Sequence, residues 1–151
     1  MKKILCPVDG SHESLEAARR AGGLVETYGA ELTLLHVVPL SFFQLLNYRP
    51  TMLETDLLPS QLEERLEAQA EEHLKEALEA CGCQAETLKR LGHPAEVIVE
   101  VASHHGYDLI VTGHRGLGGL SRLVLGSVSA QVVHHCPTSV LIVKADPPPE
   151  A

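Results

Sequence analysis

The stretch Asp108-Leu109-Ile110-Val111-Thr112-Gly113-His114-Arg115-Gly116-Leu117-Gly118-Gly119 decides how this chain folds. Its first half, Leu109-Ile110-Val111-Thr112, is a nearly unbroken apolar run. A strand with one face in water alternates, whereas a strand covered on both faces does not, so the run predicts a strand inside a parallel sheet. The same pattern returns at Val140-Leu141-Ile142-Val143. The second half of the stretch carries four glycines in seven residues. Glycine permits left-handed turns and lets backbone amides approach an oxyanion with no Cβ in the way.

Working outward, strands are predicted at 3–8, 31–38, 84–90, 108–113 and 139–144. Helical patterns fall between them. One spans 12–28 and stops at Gly29, a residue favoured just beyond a helix C-terminus. A second opens with a capping box, Ser60-x-x-Glu63, places Leu62, Leu66, Ala70, Leu74 and Leu78 on one face, and ends at Gly82. Its run of glutamates reads as a solvated face. A third starts near Pro94 and stops at Gly106, and a fourth starts at Gly126-Ser127 and is ended by Pro137. Strands alternating with helices, joined by connections long enough for right-handed crossovers, predict a single-domain open α/β sandwich. Residues 39–59 form a long loop carrying Phe42, Phe43, Tyr48 and Met52, and residues 146–151 read as a frayed tail.

Composition narrows the class. The chain has 151 residues, 44% of them hydrophobic and 21% charged, which is ordinary for one globular domain. No apolar run approaches the ~18 residues that span a bilayer, and the stretch before Asp9 is too short for a signal peptide. Four scattered cysteines do not make a disulfide framework, and a cytoplasmic protein is expected. A net charge of −8 argues against nucleic-acid binding. Yet between Asp108 and Asp146 there is no acidic residue, while Arg115, Arg122 and Lys144 lie inside. An anion can sit there without repulsion. The same quarter, rich in Leu, Val and Ile, also reads as buried core, and both readings can hold.

Ligands of open α/β sheets bind beyond the carboxyl ends of the strands, where the strand order reverses. Two strand ends carry suitable chemistry: Pro7-Val8-Asp9-Gly10-Ser11 and the glycine loop beginning at Gly113. After that loop, Gly126-Ser127 opens a helix whose first amides have no internal partner and whose dipole favours negative charge. Ser127 can cap the helix or donate to a phosphate oxygen. The segment matches neither G-x-x-x-x-G-K-[ST], since no lysine follows Gly126, nor G-x-G-x-x-G, since Ser121 takes the last glycine position. The glycines alone support only a turn that tolerates an anion.

Gly113-x-x-Gly116, nine residues, then Gly126-Ser127 resembles the nucleotide motif of the universal stress protein family. The resemblance covers residues 1–145 and includes Ile4 to Ser11, Leu35-His36-Val37-Val38, Gly92-His93-Pro94-Ala95 and Pro137 to Val143. It implies an adenine nucleotide alpha hydrolase-like fold, a five-stranded parallel sheet in order 3-2-1-4-5 with helices on both faces. It implies a stress-response or regulatory protein that holds ATP, with Mg2+ or Mn2+, between the ends of strands one and four. In the family's pattern Asp9 contacts the nucleoside, Pro7 and Val8 shape the adenine wall, and Val37 packs on adenine. Gly113 and Gly116 give amides to the inner phosphates, while Gly126, Ser127, Val128 and Ser129 hold the outer one. His114 and Arg115 lie inside the phosphate loop, where each can face either the ligand or solvent. The resemblance also implies a homodimer through strand 139–144.

No catalytic residue and no protein metal site is assigned. Ser127 and Ser129 stand near the outer phosphate, but no carboxylate or glutamine is there to orient water, so slow or negligible hydrolysis is expected. The alternatives are a slow ATPase, or an interaction module that binds AMP or another adenylate. A phospho-receiver reading of Asp9 lacks the aspartate required after strand three, where Arg90-Leu91-Gly92-His93 stands. His134-His135-Cys136 and Cys81-Gly82-Cys83 lack the paired spacing of a zinc site. His36 is expected to be hydrogen-bonded near the crevice, and Cys6 to be a buried strand residue.

Overall fold

The computed structural model describes residues 1–40, 59–115 and 124–146. Most of the 39–59 loop, Gly116 and the tail beyond Asp146 lie outside that set. Strands β1 (Lys3–Pro7), β2 (Glu31–Pro39), β3 (Glu86–Gly92), β4 (Leu109–Gly113) and β5 (Ser139–Val143) form one parallel sheet in the order β3-β2-β1-β4-β5. The expected order therefore holds. Helices α1 (His12–Tyr28), α2 (Pro59–Cys81), α3 (Pro94–His104) and α4 (Ser127–His135) cover both faces.

Strand β1 lies at the centre because every one of its inner side chains is apolar. Ile4 and Cys6 pack under α1 and α2, while Leu5 packs on the α3 and α4 side. All three are fully buried. In β4 the same division sends Val111 one way and Ile110 the other. An unbroken apolar run is what two covered faces require, since successive side chains point to opposite sides of the sheet.

The helix faces that meet the sheet are built from small residues. Ala17, Ala18, Ala21 and Gly22 form the buried stripe of α1. Ser11 caps this helix, its hydroxyl accepting from the Ser14 amide at 3.2 Å, and Gly29 ends it at φ 64.

Two boundaries differ from the sequence reading. Ser60, expected at the cap of α2, lies inside the helix, which begins at Pro59. Proline suits a first helical position because its φ is preset and its missing N–H is not needed there. The cap itself falls outside the described residues. Strand β3 begins and ends two residues later than 84–90, at Glu86–Gly92. It is an edge strand with mostly exposed side chains, so no apolar alternation marks its ends. Its span follows the pairing with β2, from Thr33 opposite Glu86 to Pro39 opposite Gly92.

Candidate functional site

From β1 the chain runs outward through β2 to β3, then returns to β4 on the other side, so the strand order reverses between β1 and β4. A cavity of about 410 Å³ opens above that point. Its wall takes Pro7, Val8 and Asp9 from the end of β1, and Val37, Val38 and Pro39 from the end of β2. Thr112 and Gly113 come from β4, and Gly126, Ser127, Val128 and Ser129 from the start of α4. Arg115 completes that side. Ten of the twelve residues singled out from the sequence thus line one cavity. His114 is not on its wall, and Gly116 lies outside the described residues.

The start of α4 is an anion-receptive end. Its first internal bond runs from the Ala130 amide to the Gly126 carbonyl at 2.9 Å. The amides of Ser127, Val128 and Ser129 precede it and find no acceptor among the described residues. Gly126 supplies no side-chain cap, so nothing of its own competes for them. Two neighbouring amides are already used. That of Gly126 donates to the His114 carbonyl at 2.8 Å, and that of His114 donates to the Val143 carbonyl at 2.9 Å. The Ser129 hydroxyl is also engaged, donating to the Gly113 carbonyl at 2.8 Å and tying α4 to β4. What Ser129 offers the cavity is its amide.

Gly113 has a second reason to be glycine. A Cβ there would lie 2.9 Å from the Glu13 carbonyl carbon and oxygen, because α1 crosses β4 at that point. A branched residue at Gly113 is therefore expected to lower stability along with any binding, and such a variant does not report on ligand alone. The Glu13 carboxylate in turn lies 3.4 Å from the Arg115 guanidinium, both side chains being four-fifths buried. The acid that α1 brings beside the loop is thus paired, in keeping with the acid-free sequence around it.

At the β1 end, the Asp9 Oδ1 accepts from the Ser11 amide at 3.0 Å and the Ser11 hydroxyl at 2.5 Å. The Ser14 hydroxyl meets the Asp9 amide at 3.3 Å. These contacts fix the carboxylate at the mouth of the strand, and among the described residues its Oδ2 has no hydrogen-bond partner. His36 Nδ1 lies 2.9 Å from the Val8 carbonyl, so it donates there and holds two strand ends together. Cys6 is fully buried, as expected of a central strand residue.

Burial holds the His36 imidazole below the usual histidine range. The Val8 hydrogen bond opposes this, His73 adds to it, and Asp9 opposes it weakly. An unfolded histidine takes up a proton near pH ~6.5, before the folded one does. The stability due to neutral His36 is therefore full above pH ~6.5 and is lost as the pH falls below it. Urea unfolding at pH 7.5 and pH 5 should show this loss, and His36→Gln should reduce it. Stability that rises on acidification would contradict the sign.

Sequence reasoning missed the α2 contribution. Leu66, Gln69 and His73 line the cavity from one side of that helix, and Ser14, Pro94 and Ile98 add to the wall. The apolar periodicity of α2 marked Leu66 as part of its apolar stripe but gave no sign that Leu66, Gln69 and His73 overhang the strand ends. Among the described residues no group of three metal-ligating side chains occurs, and no helix is long and apolar enough to cross a membrane.

The family model described as the universal stress protein family matches residues 1–144. A universal stress protein of Methanocaldococcus jannaschii is 39% identical over 145 residues, covering 95% of this chain and 82% of that one. Among solved structures, the protein MJ0577 superposes with a TM-score of 0.78 at 26% identity, covering 97% of this chain and 98% of that one. A universal stress protein crystallised in complex with cAMP superposes with a TM-score of 0.65 at 26% identity, covering 95% and 96%. With the sheet order and the glycine motif, these matches leave one assignment: the chain belongs to the universal stress protein family.

Proposed function

We propose that this chain is an ATP-binding regulatory protein of the stress response that holds an adenine nucleotide across the ends of β1 and β4. The observation that carries the reading is the set of three amides, at Ser127, Val128 and Ser129, left unpaired among the described residues. They open into the same cavity as the Asp9 carboxylate and the apolar wall of Val37, Val38 and Pro39. A helix N-terminus suits phosphate, an apolar slot suits a base, and a carboxylate suits a sugar or base donor. The 26%-identical relative in complex with cAMP supports an adenylate as the ligand class.

The phosphates lie on α4, with Arg115 and the Gly113 loop beside them, and the base lies on Val37 between β1 and β2. A divalent ion fits as a companion of the triphosphate. Magnesium keeps several waters and leans on phosphate oxygens, so it does not need a protein cage. The carboxylate on the cavity wall, Asp9, is bound to Ser11 at the nucleoside end, and the glutamine on that wall, Gln69, comes from α2 and not from the α4 end proposed to hold the phosphates. Turnover is expected well below the ~1 s⁻¹ of ordinary enzymes. Pairing of two copies through β5 completes the reading. The strand is at the sheet edge, and Leu141 on it remains 37% exposed.

Thermal denaturation with ATP and Mg2+, AMP or cAMP tests the assignment. A ligand present at 100 times its Kd should stabilise the fold by about 2.7 kcal/mol, a rise of roughly 5–11 °C in a domain of this size. No rise with any adenylate, together with no nucleotide released on denaturing the purified protein, would overturn it.

A further inference from the structure

His73 stands apart from the glycine motif and from every other assigned residue, yet its ring lies in the wall of the same cavity. Three observations define it. Its Nδ1 is buried and has no hydrogen-bond partner among the described residues. Its ring meets that of His36 edge to face, with centroids 5.2 Å apart. Its Nε2 occupies the space where a Cβ on residue 10 would stand, and that residue is Gly10, at φ +83. Any other residue at position 10 would be strained and would displace the ring.

These facts decide the proton. A buried N–H with no acceptor is costlier than a buried lone pair with no donor, so the proton belongs on Nε2. His73 then presents a donor beside Gly10, next in the chain to Asp9. The Asp9 Oδ1 is taken by Ser11, which leaves Oδ2 as an acceptor. A donor and an acceptor at one strand end complement a hydroxyl, which both accepts and donates. Of the parts of a nucleotide, only the sugar carries hydroxyls. The position suits it, since the base wall on β2 lies to one side and the α4 amides to the other.

We propose that His73 is a specificity-determining residue that donates from Nε2 to a ribose hydroxyl while Asp9 accepts from it, so that the site selects ribonucleotides over deoxyribonucleotides. This inference rests on the nucleotide reading above. A site built to bond a hydroxyl penalises the analogue that lacks it, because its own polar groups are left unpaired.

The test is calorimetric titration of ATP, 2′-deoxy-ATP and 3′-deoxy-ATP into the wild type, His73→Phe and His73→Gln. The wild type should bind at least one deoxy form about 10-fold more weakly than ATP, the scale of one hydrogen bond. His73→Phe keeps a flat aromatic ring, one atom larger, and removes both ring nitrogens, and its melting temperature without ligand shows whether the fold is kept. Its preference for ATP should fall to about 2-fold or less. His73→Gln, whose amide can still donate, should recover part of it. Equal wild-type affinity for all three ligands would overturn the inference and leave the nucleotide reading standing. An equal loss for all three in His73→Phe would do the same, since it would make His73 a wall residue only. If the wild type binds none of the three, both readings fall together.

Discussion

Replacing Gly22 by alanine is expected to destabilise the protein by about 3 kcal/mol, the upper range for an overpacked site. The melting temperature should drop by roughly 6–12 °C. The Cβ would fall well inside van der Waals contact with the Cys81 carbonyl oxygen, at the last residue of α2. That neighbour is backbone, so it cannot swing aside, and relief requires the two helices to separate. The adjacent Gly23 supplies the control. It is exposed, sits in the same helix, and a Cβ added to it would meet nothing within 4 Å. Gly23→Ala should therefore gain about 0.5–1 kcal/mol from helix propensity alone. Opposite signs for the same substitution at consecutive residues would confirm the α1–α2 contact. Equal effects in circular dichroism melts would refute it.

Ser127→Glu should separate binding from folding. A carboxylate in the first turn of α4 complements the helix dipole, so the unliganded protein should hold its stability or gain about 0.3–1 kcal/mol. The same charge would stand where the phosphates are proposed to lie. At an effective dielectric of ~20, two like charges about 5 Å apart repel by roughly 3 kcal/mol, more than 100-fold in affinity. Binding of ATP should therefore fall by about 100-fold or more while the melting curve without ligand stays in place. Unchanged affinity would move the phosphates away from α4. Because Ser127 is exposed and its hydroxyl makes no hydrogen bond among the described residues, no loss of packing confounds the result.

The inner strand β4 was legible because it is covered on both faces, and β5, an edge strand with Leu141 exposed, because it keeps an apolar run all the same. Leu109 to Thr112 and Val140 to Val143 are unbroken apolar runs, and their observed spans differ from the expected ones by no more than a residue at either end. Strand β3 was read less well, since an exposed edge leaves no apolar pattern to fix its limits. Gly113 shows a different limit. A glycine after a buried strand looks the same whether it makes room for a ligand or for a helix, and here the Glu13 backbone of α1 occupies that space. Ser129 was expected to face the ligand, yet its hydroxyl is bound to the Gly113 carbonyl.

By itself the sequence determined the class of fold, the order of its helices and strands with most of their limits, and the family, because hydrophobic period, helix-ending glycines and glycine spacing are local properties of the chain. Only the tertiary structure decided which amides are free and which are used. Gly126 and His114 spend theirs on carbonyls close by in space, while Ser127, Val128 and Ser129 find none among the described residues. Only the tertiary structure brought His73 of α2 against Gly10 of the β1 end, across more than sixty residues. The reason is physical. A hydrogen bond or a close approach between distant segments depends on how helices pack over the strand ends, and no periodicity within either segment records it.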